Sequence, residues 1–298
     1  MIIVPLEHLK IGMTLSKDVA STSARDYKIL LTAGTTVTAE MIAMLTRKGI
    51  KSVMISGEDT PPKPPASPET KEEEANRHIG MALSDLNEIF DSSEIKELSQ
   101  QAVKKVDRIA DDILHDISND SSYLGTQMIA LQNFDDYTYK HCLRVAMLSA
   151  SVCAELGQSE SQTKETVLAA LLHDIGKSNI DHDIIIKPGK LTDAEFAEIK
   201  RHPLIGYEIL KKSGKYSPNV LAGVLFHQEK YDGSGYPTGT SGTNIPIIAR
   251  IITVCDVFDA LTSNRPYRKP WSVAETEEYI LGSCGTHFDF DVASAFLK

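Results

Sequence analysis

Adjacent His173 and Asp174, in Leu171-Leu172-His173-Asp174-Ile175-Gly176-Lys177, have the types and spacing that speak most directly of chemistry. A run rich in Ala and Leu delivers the pair, and Gly176 then ends or bends that helix. Successive side chains on a helix diverge by about 100°, so within a helix the two would serve different partners. At a helix end, however, a carboxylate can bridge two cations while the imidazole binds one. A hard carboxylate beside a borderline imidazole suits Mn, Fe, Ni or Zn. Further candidates sit in similar settings. His141 lies on the apolar helix upstream, His202 precedes Pro203 at a helix junction, and His227 ends the apolar run 220–226. Asp256 lies inside Ile251-Ile252-Thr253-Val254-Cys255-Asp256-Val257-Phe258. A buried carboxylate there carries a large desolvation cost unless a cation or hydrogen bonds offset it. Its alternative is a helix-packing Asp bonded to a backbone or hydroxyl group.

The elements that must position these residues are helical. From residue 123 onward the pattern is helix after helix. Val145, Leu148 and Val152 share one face of a helix over 137–156, with Gly157 as its stop. A shorter apolar helix covers 163–172. Thr192 and Glu195 have the spacing of a capping box. Pro203 sits where the first turn of another helix begins. Segments 219–227 and 247–262 read as central apolar helices. The expected fold is therefore mainly α: an all-α bundle over 123–298, behind a small N-terminal mixed α/β domain over 1–58. In that domain 27–31 and 49–55 read as strands, and Thr38 as the N-cap of a helix through Met41 and Leu45. Residues 59–74 read as a Pro-rich linker, with Pro61, Pro62, Pro64, Pro65 and Pro68 removing backbone donors. Residues 75–122 read as a connecting helical segment. Its Ile79, Leu83, Leu86 and Ile89 serve either a signalling or dimerisation helix, or a helix covering the main core.

His173-Asp174-Ile175-Gly176-Lys177 resembles the HD superfamily of metal-dependent phosphohydrolases. The segment His227-Gln228-Glu229-Lys230-Tyr231-Asp232-Gly233-Ser234-Gly235-Tyr236-Pro237 resembles the hallmark of its HD-GYP branch, the cyclic di-GMP phosphodiesterases. Further matches are Lys187 to Thr192, Arg201-His202-Pro203 with Gly206-Tyr207, Asp256 to Thr262, and Arg265-Pro266-Tyr267-Arg268. The resemblance covers roughly residues 123–298 and implies an HD-type helical bundle. It implies that His141, His173, Asp174 and Asp256 hold one divalent metal, and that Asp174 bridges to a second held by His202 and His227. The ions expected are Fe or Mn, with Ni, Zn or Mg as alternatives. A hydroxide bridging them would attack phosphorus in line. Asp174 and Lys177 are the implied catalytic residues, Lys177 orienting the phosphate or assisting the leaving oxygen. Substrate contacts are implied for Lys177, Tyr236, Asp259, Arg265 and Arg268. Tyr236, stiffened by Pro237, would stack on a guanine base, and arginine forks match phosphate oxygens or the guanine edge.

The implied activity is hydrolysis of cyclic di-GMP to linear pGpG, and onward to GMP. Two alternatives stand beside it: a non-catalytic cyclic-dinucleotide sensor, and a hydrolase of another cyclic dinucleotide such as cyclic GMP-AMP. The chain departs from the family in places. Many members carry two adjacent histidines where this chain has His227-Gln228. Three-metal members carry a Glu four residues before the first histidine, where this chain has Tyr137. Two metals rather than three are therefore expected, and hydrolysis that favours the linear product. His287 stands where the family usually has Gln and is read as non-ligating. Composition bounds the partners. Among 298 residues, 42% are hydrophobic and the net charge is −10, which excludes broad nucleic-acid polymer binding. The sequence holds no long apolar run of membrane-spanning length. Cys142, Cys153, Cys255 and Cys284 form no CxxC pair and read as buried thiols in a reducing, cytoplasmic setting. A homodimer through the connecting segment, and a signalling partner for the N-terminal domain, complete the expectations.

Overall fold

The computed structural model describes residues 2–20, 29–56, 70–91, 94–119, 121–131, 137–264 and 269–298. The chain divides into two compact units, Met1–Glu69 and Thr70–Lys298.

In the first unit, strand β1 (Ile2–Pro5) pairs antiparallel with β4 (Ser52–Ile55), Val4 opposite Val53. A second pair joins β2 (Val19–Ala20) to β3 (Ile29–Leu31). Helix α1 (Ala39–Arg47) starts where Thr38 accepts a hydrogen bond from the Met41 amide at 3.4 Å. Val4, Val53, Ile55, Leu15, Val37 and Leu45 form its own small core. Of the strand expected over 27–31, residues 27 and 28 lie outside the described residues.

The second unit is helical among the described residues. Helices α2 (Lys71–Phe90) and α3 (Gln100–Asn119) precede α4 (Ser121–Ala130), α5 (Tyr137–Glu155) and α6 (Glu160–Leu172). Residues 71–74, expected as linker, are instead the first turn of α2. Thr70 and Glu73 form a capping box there that outweighs the polar composition. The periodic stretch that follows is not one helix. Glu94 takes φ +52°, which breaks helical continuity, and Ser99 caps the start of α3 through the Ala102 amide. The apolar stripe of α2 (Ala75, Ile79, Leu83, Leu86, Ile89) is buried in the same core as α5 and α6. The connecting segment therefore covers that core, and its apolar face is already spent there.

After α6 come a 3-10 turn (Ile175–Asn179), α7 (His182–Ile185), α8 (Asp193–Ile199), α9 (His202–Ser213) and α10 (Pro218–Phe226). Then follow α11 (Ile247–Thr262), α12 (Val273–Gly282) and α13 (Phe290–Phe296). Small residues let these helices approach. A Cβ on Gly223 of α10 would lie 2.7 Å from the Ala169 Cβ of α6. One on Gly176 would lie 2.7 Å from the Gly206 amide nitrogen of α9. These two contacts bring the C-terminal end of α6 against the start of α9 and the body of α10, where the candidate histidines sit.

Candidate metal centre

Five helices and one 3-10 turn deliver the predicted ligands to one place. His141 comes from α5, His173 from the C-terminal cap of α6, Asp174 from the residue that opens the 3-10 turn, His202 from the first position of α9 and His227 from the C-terminal cap of α10. Asp256 comes from the middle of α11. Their imidazoles form a row: His141 to His173 (ring centroids 5.3 Å), His173 to His227 (5.0 Å) and His227 to His202 (5.1 Å). All four histidines and Asp174 are buried.

Three of these histidines share one local device. Nδ1 of His173, His202 and His227 donates to the carbonyl three residues earlier, Ala170 at 2.7 Å, Ile199 at 2.7 Å and Val224 at 2.8 Å. Each of those carbonyls belongs to the last turn of a helix, where no intrahelical amide is left to satisfy it. A carbonyl only accepts, so Nδ1 carries the proton and Nε2 is the atom left to coordinate. The Nε2 atoms of His202 and His227 face each other at 3.1 Å. Burial lowers the pKa of His202 to about 4 and holds that of His227 well below the usual imidazole value, so both are neutral at pH 7. Two lone pairs thus point at a common space. Nε2 of His173 and Oδ1 of Asp174 are also buried and have no hydrogen-bond partner among the described residues. Asp174 Oδ1 lies 3.4 Å from His202 Nε2, and Oδ2 lies 3.4 Å from His173 Nε2. Buried donors and acceptors are nearly always paired, and a converging set of acceptors with nothing to accept from fits a cation. Among the described residues, two groups have ligand atoms within 4.8 Å of one another: His141, His173 and Asp256, and His173, Asp174 and His227.

His141 is oriented differently. Its Nδ1 stands 2.7 Å from Asp259 Oδ2 and its Nε2 3.1 Å from Asp256 Oδ1. Burial would lower its pKa, but the hydrogen bonds to Asp256 and Asp259 raise it to about 9. Burial raises the carboxyl pKa of Asp174, but the neighbouring Lys177 ammonium and His173 hold it well below the usual range. Lys177 Nζ lies 2.6 Å from Asp174 Oδ2. Burial lowers the lysine pKa and Asp174 more than restores it, so Lys177 stays a cation rather than a base.

The expected substrate contacts separate. Tyr236 is half-buried at the edge of the row, its ring centroid 6.4 Å from that of His202. Asp259, expected as a substrate contact, is instead 3% exposed and faces His141 and the Arg144 guanidinium, 2.7 Å away. Arg265 and Arg268 lie outside the described residues, as does the side chain of Tyr137. His287 stacks on Phe288 and is not in either ligand group. Three other residues at the site were not anticipated. Arg144 is three residues after His141 on the same helical face, a spacing that could have flagged it. Gln228 bonds both Asp256 and Tyr236. Glu229 is fully buried, and its Oε1 accepts from the Thr238 amide (2.6 Å), the Thr238 hydroxyl (2.8 Å) and the Gly239 amide (3.0 Å). It pins the loop that carries Tyr236, and its place inside an ordered motif was the available signal.

A family model described as an HD domain matches residues 114–292. The chain belongs to the HD domain family. It is 42% identical over 171 residues to cyclic di-GMP phosphodiesterase PA4108 of Pseudomonas aeruginosa, a match covering 57% of this chain and 41% of that protein. It is 39% identical over 162 residues to 3'3'-cGAMP-specific phosphodiesterase 2 of Vibrio cholerae, covering 54% of this chain and 31% of that one. The chain spans less than half the length of these relatives. Among solved structures, the HDG"Y"P protein Bd1817 of Bdellovibrio bacteriovorus has the same fold, with a TM-score of 0.62 at 15% identity, covering 99% of this chain and 97% of that one. The HD domain implies divalent-metal binding, and no helix among the described residues is long and apolar enough to cross a membrane.

Proposed function

We propose that this chain is a metal-dependent phosphodiesterase that hydrolyses cyclic di-GMP to pGpG and, more slowly, to GMP. The observation that carries the reading is the convergence of buried acceptors: His173 Nε2 and Asp174 Oδ1, which have no hydrogen-bond partner among the described residues, beside the facing lone pairs of His202 Nε2 and His227 Nε2. Such a set fits divalent ions and little else. Two ions are proposed, one held by His141, His173, Asp174 and Asp256, the other by Asp174, His202 and His227. Nitrogen and carboxylate ligands favour Fe or Mn, with Ni, Zn or Mg as lesser alternatives. When bound, such ions supply Lewis-acid charge to phosphoryl oxygens and generate a nucleophile from water at neutral pH. The chain's own residues do the rest. Lys177, kept cationic by Asp174, supplies charge and donors to a phosphoryl oxygen or to the leaving 3′-oxygen. Tyr236 offers a face and a hydroxyl to a base at the edge of the imidazole row. Arg265 and Arg268 are proposed to meet phosphate or guanine. Asp259 orients His141 through Nδ1.

Cyclic GMP-AMP is the second substrate to consider, because a relative 39% identical carries that specificity in its name. A cytoplasmic location is supported by the unpaired Cys142, Cys153, Cys255 and Cys284. A homodimer and a signalling partner for the first unit remain part of the proposal. The test is turnover by protein reconstituted anaerobically with Mn²⁺ or Fe²⁺, products separated by chromatography. Formation of pGpG by the wild type and its loss, together with the metal, in Asp174→Ala is the expected result. Faster turnover of cyclic GMP-AMP would reassign the substrate. Metal-replete protein that binds a cyclic dinucleotide without cleaving it would make the chain a sensor.

A further inference from the structure

Gln228 stands between the loop tyrosine and a candidate metal ligand. Its amide nitrogen donates to Asp256 Oδ2 at 3.1 Å, and its amide oxygen accepts from the Tyr236 hydroxyl at 3.0 Å. The direction of both bonds follows from the partners. A carboxylate only accepts, so the NH₂ end of the amide must face Asp256. The end left toward Tyr236 is the carbonyl, which also only accepts, so the phenol must donate. The backbone repeats the link, because the Tyr236 amide donates to the Gln228 carbonyl at 3.2 Å. Gly235 makes this approach possible. A Cβ there would lie 2.6 Å from the Gln228 carbonyl oxygen and 2.5 Å from the Glu229 Cα. On its other side Asp256 presents Oδ1 toward His141 Nε2 at 3.1 Å. An imidazole at position 228 would offer a lone pair to a cation. The amide nitrogen offers none, so here the position is a clamp.

We propose that Gln228 is a positioning residue that fixes the polarity of both neighbours. It draws the Tyr236 hydroxyl proton inward, so that hydroxyl meets a bound molecule with lone pairs alone and selects an N–H or O–H donor over a carbonyl or phosphoryl oxygen. It also occupies Asp256 Oδ2, leaving Oδ1, beside His141 Nε2, as the carboxylate oxygen turned toward a cation. The first consequence rests on the phosphodiesterase reading for its ligand, whereas the second does not. Burial raises the Tyr236 pKa, which keeps the donor proton in place across the neutral range.

Full-length protein carries the test, with Gln228→Met, Gln228→Leu and Tyr236→Phe. Mn²⁺ affinity is read by competition with a fluorescent chelator, without turnover. Loss of an orienting partner of a ligand weakens metal binding about 10–100-fold, and that is expected for both Gln228 variants. Tyr236→Phe should stay within about threefold of wild type, since the Asp256 bond survives. Wild-type Mn²⁺ affinity in folded Gln228 variants would overturn the clamp. Ultraviolet resonance Raman difference spectra, wild type minus Tyr236→Phe, report the phenol's hydrogen-bonding role. The free protein should give a donating phenol. Metal-free protein with cyclic di-GMP added should give a phenol that still donates and now also accepts. A phenol that ceases to donate inward on binding would overturn the polarity assignment. Absence of cyclic di-GMP binding in the wild type would sink the substrate proposal alone, because the Mn²⁺ titration and the free-protein spectrum still decide the role of Gln228.

Discussion

Gly176→Ala puts one methyl group where the structure has no room for it. The new Cβ would lie 2.7 Å from the Gly206 amide nitrogen and 2.9 Å from the His202 carbonyl carbon, and closer still to the His202 carbonyl oxygen. All three atoms are backbone of α9, so no side chain can swing aside. Ordinary contact begins near 3.4 Å, and the closest clash, with the carbonyl oxygen, makes α9 and the 3-10 turn part by more than ~1 Å. That motion carries His202 away from Asp174, whose Oδ1 now stands 3.4 Å from His202 Nε2. Metal sites tolerate only about 0.2 Å of error in ligand distance, so affinity falls before the fold does. Overpacking of this kind costs about 3 kcal/mol, which lowers Tm by roughly 6–12 °C for a unit of this size. The control is Gly125→Ala, the same chemical change with nothing among the described residues within 4 Å of the added Cβ. In helix α4 it should stabilise slightly, by about 0.5–1 kcal/mol. The assays are differential scanning calorimetry and metal content after dialysis. Wild-type Tm and wild-type metal content in Gly176→Ala would refute the claim that this glycine sets the spacing of α9 from Asp174.

Metal uptake should release a proton from His141. With its pKa near 9 in the metal-free protein, His141 is an imidazolium at pH 7, and a cation at Nε2 must displace that proton. Mn²⁺ affinity should therefore rise about tenfold per pH unit from 7 to 9, then flatten, while His202 and His227, already neutral, add no further slope. Calorimetry in buffers of different ionisation heat checks this, and pH-independent affinity over that range would contradict it. The same shift sets a stability slope for the metal-free protein. The folded pKa lies above the ordinary value of 6.5, so the contribution is complete below about 6.5 and is lost as pH rises through 9. Glu229→Ala removes the acceptor of three hydrogen bonds to Thr238 and Gly239. It should cost about 2–3 kcal/mol and raise KM while metal content stays at wild type, with Glu229→Gln largely restoring both. Metal loss in Glu229→Ala, read by atomic absorption, would mean that the residue supports the ligands and not the loop.

Much of this protein is legible in its sequence because the signals are local. Capping at Thr38 and at Thr192 with Glu195, the stop at Gly157 and the helix 247–262 need only a few neighbouring residues to act. The chemistry of the ligands is local too, since imidazole and carboxylate keep their preferences wherever they are placed, and the ordered motifs from His173 to Asp256 name the residues. Local signals fail where a choice depends on what lies opposite. Periodicity over the connecting segment, 75–122, is the same for one helix or two, and the left-handed turn at Glu94 decides between them. Asp259 looks like a ligand contact one turn past Asp256, yet packing of α11 against α5 turns it toward His141 and Arg144. Gln228 reads as a poor substitute for a histidine until Asp256 and Tyr236, 28 and 8 residues away, close on the two ends of its amide. The sequence by itself determines which side chains can bind a cation and which helices present them. Only the tertiary structure decides which lone pairs are left unpaired in one buried space, because that depends on distances between six elements that no local rule controls.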